Sequence, residues 1–273
     1  MEEQAIDWVG NLKELGPWIL GFIALVQVWI IAAWKQLRKG SIEIYESGSI
    51  EIGYGDLGPS VALLGTLRCL EKDVFVKSMD VEIVRMKDGA RHLFRWYAFR
   101  PHELSLGGQS QPKLEIAGSF LATPTQPNKY NIFFTESAFI AEFRPKVKPF
   151  LDRWHAYVRE RFEETGEDTM RRAVEVLGNT QLTQNLFKDF SDKGNVVEAY
   201  SLLDRAFYWH EGRYRITLKV DAAKPERSFT KVWSFALTQD DSERLRLNTV
   251  GILQSLCGIQ VTFNFAYPEY GSA

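Results

Sequence analysis

Between Gly16 and Trp34 the chain is apolar at every position except Gln27, and from Ser41 onward its apolar residues fall into a period of two. As a helix rising ~1.5 Å per residue, the first stretch spans most of a ~30 Å hydrocarbon core. Trp18 and Trp34 stand near its ends, where indole rings favour the membrane interface. The pattern predicts a transmembrane helix over 16–34. The other reading of such a run is a buried helix of a soluble protein, which is rarely apolar all round at this length. A secretory signal does not fit, because the leading segment carries Glu2, Glu3, Asp7 and Glu14 against Lys13 alone. The basic flank Lys35, Arg38 and Lys39 follows the span, and such flanks stay inside. A single-pass protein of a bacterial inner membrane follows, with its N-terminus outside and its C-terminal domain cytoplasmic. Ala5, Trp8, Val9, Leu12 and Leu15 recur at helical spacing. They form either an amphipathic helix on the outer surface or a continuation of the span. Residues 1–40 are thus a membrane anchor and 41–273 the domain it carries.

In that domain, Ile42, Ile44, Ile50 and Ile52 alternate with polar residues around Glu46-Ser47-Gly48, which predicts a hairpin. Phe75, Lys77, Met79, Val81 and Ile83 form a second alternating face, Asp88-Gly89 a tight turn, and Arg91 to Phe99 a returning strand. Later strands are read at Tyr214–Val220, Phe229–Leu237 and Ile259–Phe265. The period changes to 3.6 at Val147, Phe150, Leu151, Trp154, Val158 and Phe162, opposite Lys148, Arg153, Arg159 and Glu163. Further helices are predicted at Asp168–Leu177, Gln181–Phe190, Val196–Ala206 and Ser242–Cys257, the last capped by Asp240, Asp241 or Ser242. The predicted class is α+β: an antiparallel β-sandwich-like domain built from about 41–140 and 207–268, with a helical insertion near 141–206. The alternative is a sandwich followed by a small α+β unit.

Charge narrows the partners. The chain has 273 residues and a formal net charge of −2, so no global basic field marks it for nucleic acid. A local basic groove remains possible. Cys69 and Cys257 form no CxxC pair and read as buried reduced thiols.

Catalytic signatures are missing. His92, His102, His155 and His210 stand in no metal-ligand spacing, and there is no GxSxG, Walker A loop or GxGxxG. Asp240-Asp241 is better explained as a helix cap than as a metal site, and Gly107–Pro112 as a polar connection. No catalytic residue, metal or cofactor is assigned, and the chain is not expected to be an enzyme. Two segments retain functional interest. Arg91 to Arg100, RHLFRWYAFR, alternates arginine with aromatic residues, a chemistry that pairs phosphates and stacks bases. Arg95 and Arg100 are candidate phosphate contacts, and Trp96 or Tyr97 a candidate base contact. The competing reading is a core strand with solvated arginines. Lys129 and Tyr130, in a loop over Thr123–Asn131, are candidates to close over a ligand.

The stretch Ile42–Asp80, IEIYESGSIEIGYGDLGPSVALLGTLRCL followed by KDVFVKSMDVEI, together with KDGARHLFRWYAFRP, resembles bacterial membrane-anchored proteins. The layout of one anchor and a cytoplasmic sensing domain is similar to transmembrane effectors of anti-phage defence, the Hailong type in particular. The resemblance implies an oligomeric effector, an ion channel in kind, held in check by a DNA oligomer or nucleotide from a partner nucleotidyltransferase. Gly21, Ala24, Gln27 and Ile31 lie near one face of the span. They are candidates for a pore wall or a helix interface of a homo-oligomer, since small residues allow close approach and an amide can bond across it. The alternative function is a non-catalytic membrane-anchored scaffold or adaptor that binds another protein.

Overall fold

The structure, a computed structural model, describes residues 25–31, 33, 40–99, 115–125, 128–163, 180–224 and 226–271. The leading amphipathic segment, the basic flank, Gly21, Ala24, Arg100, His102, Gly107–Pro112 and Asp168–Leu177 lie outside them, as does most of the predicted span. Residues 25–31 are helical and exposed, Gln27 and Ile31 included. Among the described residues no helix is long and apolar enough to cross a membrane.

The domain is α+β, mostly strand, and its sheet curls into an antiparallel half-barrel. Strands β1 (Ser41–Gly55), β2 (Gly58–Leu70), β3 (Val74–Arg85) and β4 (Arg91–Phe99) come first. Then follow β5 (Glu115–Ile116), β6 (Phe120–Ala122) and β7 (Asn128–Thr135). Three helices come next: α1 (Ser137–Glu163), α2 (Thr180–Asp192) and α3 (Val197–Ala206). The chain ends with β8 (Gly212–Lys224), β9 (Glu226–Leu237), α4 (Gln239–Leu256) and β10 (Phe265–Ala266). The order across the sheet is β10-β1-β2-β7-β4-β3-β8-β9, with β5 on β4 and β6 on β3.

This corrects the sandwich. A sandwich needs two sheets face to face, but the ladder between β3 and β8, running from Phe75–Lys224 to Arg85–Tyr214, joins the early strands to the late ones in one sheet. The inner face and the helices share one continuous apolar cluster, from Ile50 and Tyr54 through Phe150 and Leu203 to Trp209 and Ile252. The helices α1 to α3 stand where the insertion is predicted, although α1 begins earlier, at Ser137. Its buried stripe is Phe143, Val147, Phe150 and Trp154.

Four local predictions change. The Glu46-Ser47-Gly48 hairpin is a bulge inside one long strand: β1 keeps β2 as its partner on both sides, and the register slips between Glu46 and Ile50. The turn comes instead at Gly55–Gly58. There Gly58 has φ of 75°, and the Phe139 ring fills the place of its Cβ, so the entry to α1 seats directly on the turn. On β3 the inward face is Val74, Val76, Met79, Val81 and Ile83, not Phe75, because register shifts around Val76 reset the alternation. The stretch Ile259–Phe265 is strand only at its end, since its backbone is held by α4. The Asn248 amide donates to the Asn264 carbonyl at 2.8 Å and accepts from the Asn264 N–H at 2.8 Å. The cap of α4 is Thr238, in a capping box with Asp241, rather than any of the three predicted residues.

Candidate functional site

The strand β4 contains a bulge where its chemistry is densest. Arg95 pairs with Thr135 and Trp96 with Phe134, and then Ala98 pairs with Phe133, leaving Tyr97 as the extra residue. An ordinary strand would send Arg95 and Tyr97 to one face and Trp96 and Ala98 to the other. The bulge instead sends Trp96 and Phe99 into the main core and Ala98 into a separate small cluster with Ala62 and Phe133. Tyr97 is left 43% exposed, its ring edge-on to Phe133 at 6.2 Å between centroids.

Beside this bulge lies an open groove of 490 Å³. Arg95, Trp96 and Tyr97 line it from the strand, Thr135 from β7, and Ala141, Arg144 and Pro145 from α1. Arg95 and Arg144 are both exposed, and among the described residues Arg144 has no carboxylate partner. Two guanidinium groups therefore border a groove whose lining is mostly apolar and includes the Tyr97 ring, while Thr135 is buried in its floor. Guanidinium forks bind phosphate in bidentate fashion, and an exposed ring takes the face of a base.

Arg95 also has an internal partner. It stands opposite Asp80 in the ladder between β3 and β4. Burial pushes the Asp80 carboxyl up, and the Arg95 charge pulls it partly back. Arg95 thus balances Asp80 in addition to facing the groove.

The remaining sequence candidates fare differently. Trp96 is no stacking platform: its ring packs edge-on against Phe99 at 4.7 Å and Phe120 at 6.2 Å. Lys129 and Tyr130 are not in a loop. They belong to β7 and pair with Thr66 and Gly65, because β7 starts before the Pro- and Thr-rich segment has ended. Tyr130 is five positions from Thr135, about 17 Å along a strand, so the fold does not bring this pair to the groove. Arg144 and Thr135 escaped the sequence reading. Their proximity to Arg95 depends on which strand β4 pairs with and where α1 starts, and neither leaves a periodic signal.

A second polar constellation lies one step along β4. His92 Nδ1 is 2.9 Å from Glu136 Oε1, and the imidazole stacks on Tyr208 at 3.7 Å between centroids. The Tyr208 hydroxyl is fully buried with no hydrogen-bond partner among the described residues, and burial pushes its pKa well up. The pair fixes Glu136 at the entry to α1, one residue after Thr135, and so braces one wall of the groove. Among the described residues no group of three or more His, Cys, Asp or Glu side chains could hold a metal ion. Cys69 and Cys257 are buried free thiols.

No protein-family model, curated protein or solved structure matches the chain.

Proposed function

We propose that this chain is a membrane-anchored effector whose β-rich domain binds a phosphate-bearing ligand, a nucleotide or short oligonucleotide, in the groove between β4 and α1. The observation that carries the reading is the convergence of Arg95, Tyr97, Thr135 and Arg144 on one 490 Å³ groove. Two cations beside one exposed ring suit a phosphate followed by a base, and the bulge at Tyr97 is the kind of feature that re-aims a side chain at a site. The anchor enters through sequence and exposure. Leu25, Val28, Trp29 and Ile30 are 60%, 65%, 71% and 56% exposed on the described helical residues. Such a surface is unfavourable in water and favourable in lipid or against other apolar helices.

In this reading the domain is a sensor rather than an enzyme, and several copies associate through the membrane segment with Gln27 at the seam or wall of a pore. Occupation of the groove biases open against closed only if the ligand binds one state better. In the setting that the sequence resemblance implies, anti-phage defence, the ligand is a DNA oligomer or nucleotide made by a partner nucleotidyltransferase.

The test is calorimetric titration of the full chain in nanodiscs with a deoxyadenylate tetramer and with ATP. Arg95→Ala and Arg144→Ala should each weaken binding by about tenfold or more, the effect of losing a charge-assisted contact. Affinity should fall as salt is raised. Absence of binding, or binding indifferent to both substitutions, refutes the groove. Biological activity that survives both Gln27→Leu and replacement of the whole span by an unrelated anchor refutes the pore.

A further inference from the structure

The two ends of the sheet, β1 and β9, are brought together by the curl, and the chain handles the meeting in two ways. Six antiparallel pairings separate them, so β1 and β9 run in the same direction. A single strand inserted between them is antiparallel to both. The C-terminal segment is such a strand. Gly53 and Ile52 pair with Phe265 and Ala266, Ser49 bridges Glu269, and Ser234 of β9 bridges Gly271, all antiparallel. The Ile50 N–H donates to the Pro268 carbonyl at 3.0 Å and the Tyr270 N–H to the Gly48 carbonyl at 3.2 Å. Ser234 and Gly271 exchange bonds at 3.0 and 2.7 Å. Where the tail sits, the slot is one strand wide.

Past Gly271 the slot continues without an occupant strand among the described residues. One cleft of 670 Å³ is lined by Ile42–Glu46 on β1 and Ser228–Lys231 on β9. Backbone phase shows what these edges present. Ile50 faces the tail and pairs with Leu63. Alternation along β2 puts Gly65, Leu67 and Cys69 in the same phase, and these pair with Glu46, Ile44 and Ile42. The N–H and C=O groups of Ile42, Ile44 and Glu46 therefore point into the slot. On β9 the phase of Ser234 assigns the same direction to Val232, Thr230 and Ser228.

The geometry points to a β-strand addition site: the open half of the slot takes an extended peptide segment of a partner protein, antiparallel to both edges and in line with the tail. About six residues fill it, from the six β9 positions Ser228 to Trp233 at ~3.3 Å each. Its inward side chains are apolar, to cover Ile42 and Ile44, which are already 8% exposed, and Phe229. Its outward side chains are polar or basic, beside Glu43 and the exposed Ser228 and Thr230. Lys231 is drawn instead over the Trp233 ring at 6.0 Å. A second copy of this sheet does not fit, because a one-strand slot admits only a strand that has both edges free.

The probe is an eight-residue peptide alternating valine with lysine, against a copy N-methylated at alternate residues. Added to the full chain, the plain peptide should slow amide exchange at Ile42, Ile44, Glu46, Ser228, Thr230 and Val232. The methylated copy should bind ~tenfold more weakly or worse, through lost backbone bonds. Thr230→Pro should weaken the plain peptide similarly, since it removes an N–H that faces the slot and makes no bond to β8. Equal binding of the two peptides overturns the proposal, as does protection confined to other strands. It also fails if all six amides are already protected in the free chain, because the slot is then filled by the chain itself.

Discussion

Tyr208 and Trp209 inside the half-barrel and Tyr97 on its outer face belong to two aromatic regions that treat polar groups in opposite ways. Inside, three of the rings with a donor are each tied to a particular carbonyl. Trp209 Nε1 donates to Gly53 O at 2.9 Å, Tyr54 to Leu203 O at 2.9 Å and Tyr214 to His210 O at 2.6 Å. Outside, Tyr97 is held only by an edge contact to Phe133, and Arg144 has no carboxylate partner among the described residues. A buried donor without a partner destabilises the fold, so pairing Trp209, Tyr54 and Tyr214 stabilises the interior, whereas a surface groove is free to leave its donors open for a ligand. Among the described residues the Tyr208 hydroxyl and the Trp96 and Trp233 indole N–H groups are interior exceptions, and Tyr208 lies beside the His92–Glu136 pair that braces the groove.

The contrast can be broken by substitution. The largest effect is expected from Trp209→Ala, which should lower the free energy of unfolding by about 3–5 kcal/mol in urea denaturation followed by circular dichroism. Tyr97→Ala should shift it by no more than about 0.5 kcal/mol. Comparable losses would remove the distinction between the two regions. Asn248→Ala should come next. Its amide serves the Tyr54 carbonyl at 2.9 Å and both backbone groups of Asn264, so unpaired groups are left behind at a cost of about 2–3 kcal/mol. Faster amide exchange at Tyr270 and Gly271 would show the tail leaving the slot with it.

For ligand binding the order reverses. Tyr97→Ala should weaken a bound oligonucleotide by about 1–3 kcal/mol, while Tyr97→Phe, which keeps the ring face, should restore most of it. Equal losses in the two variants would reassign Tyr97 from stacking to hydrogen bonding.

The smallest effect concerns Asp80. Burial raises its carboxyl above the ordinary range, and Arg95 offsets part of that. A carboxyl raised in the folded state binds protons more tightly there than when unfolded. Its contribution to stability is therefore present at low pH and lost as pH rises from the ordinary carboxylate range through the folded-state value. Arg95→Ala should raise the Asp80 titration further in an NMR measurement and widen that window. An unchanged Asp80 would mean that Arg95 belongs to the groove alone.

Strand and helix positions are largely legible in the sequence. The alternation of Tyr214, Ile216, Leu218 and Val220 marks β8, and all four are buried. The 3.6-residue stripe through Val147, Phe150 and Trp154 marks α1. These patterns survive because each reports only which side of its own element meets the core. The same locality explains the failures. Alternation across Glu46-Ser47-Gly48 reads identically for a hairpin and for a bulged single strand, and Ile259 to Phe265 alternates although Asn248 supplies the partner that a ladder would have supplied. The arginine-aromatic run of β4 was visible as composition, yet its two faces depended on one extra residue, Tyr97, set by the register with β7. The apolar run from Gly16 to Trp34, the charge asymmetry around it and the lack of catalytic motifs are properties of the chain alone, because they need no partner to be read. The meeting of Arg95 with Arg144 and Thr135, the curl that makes β1 face β9 and the slot that remains between them come from long-range pairing. Strand order is settled by which edges and apolar faces fit together, and that information is spread over the whole chain rather than carried by any one segment.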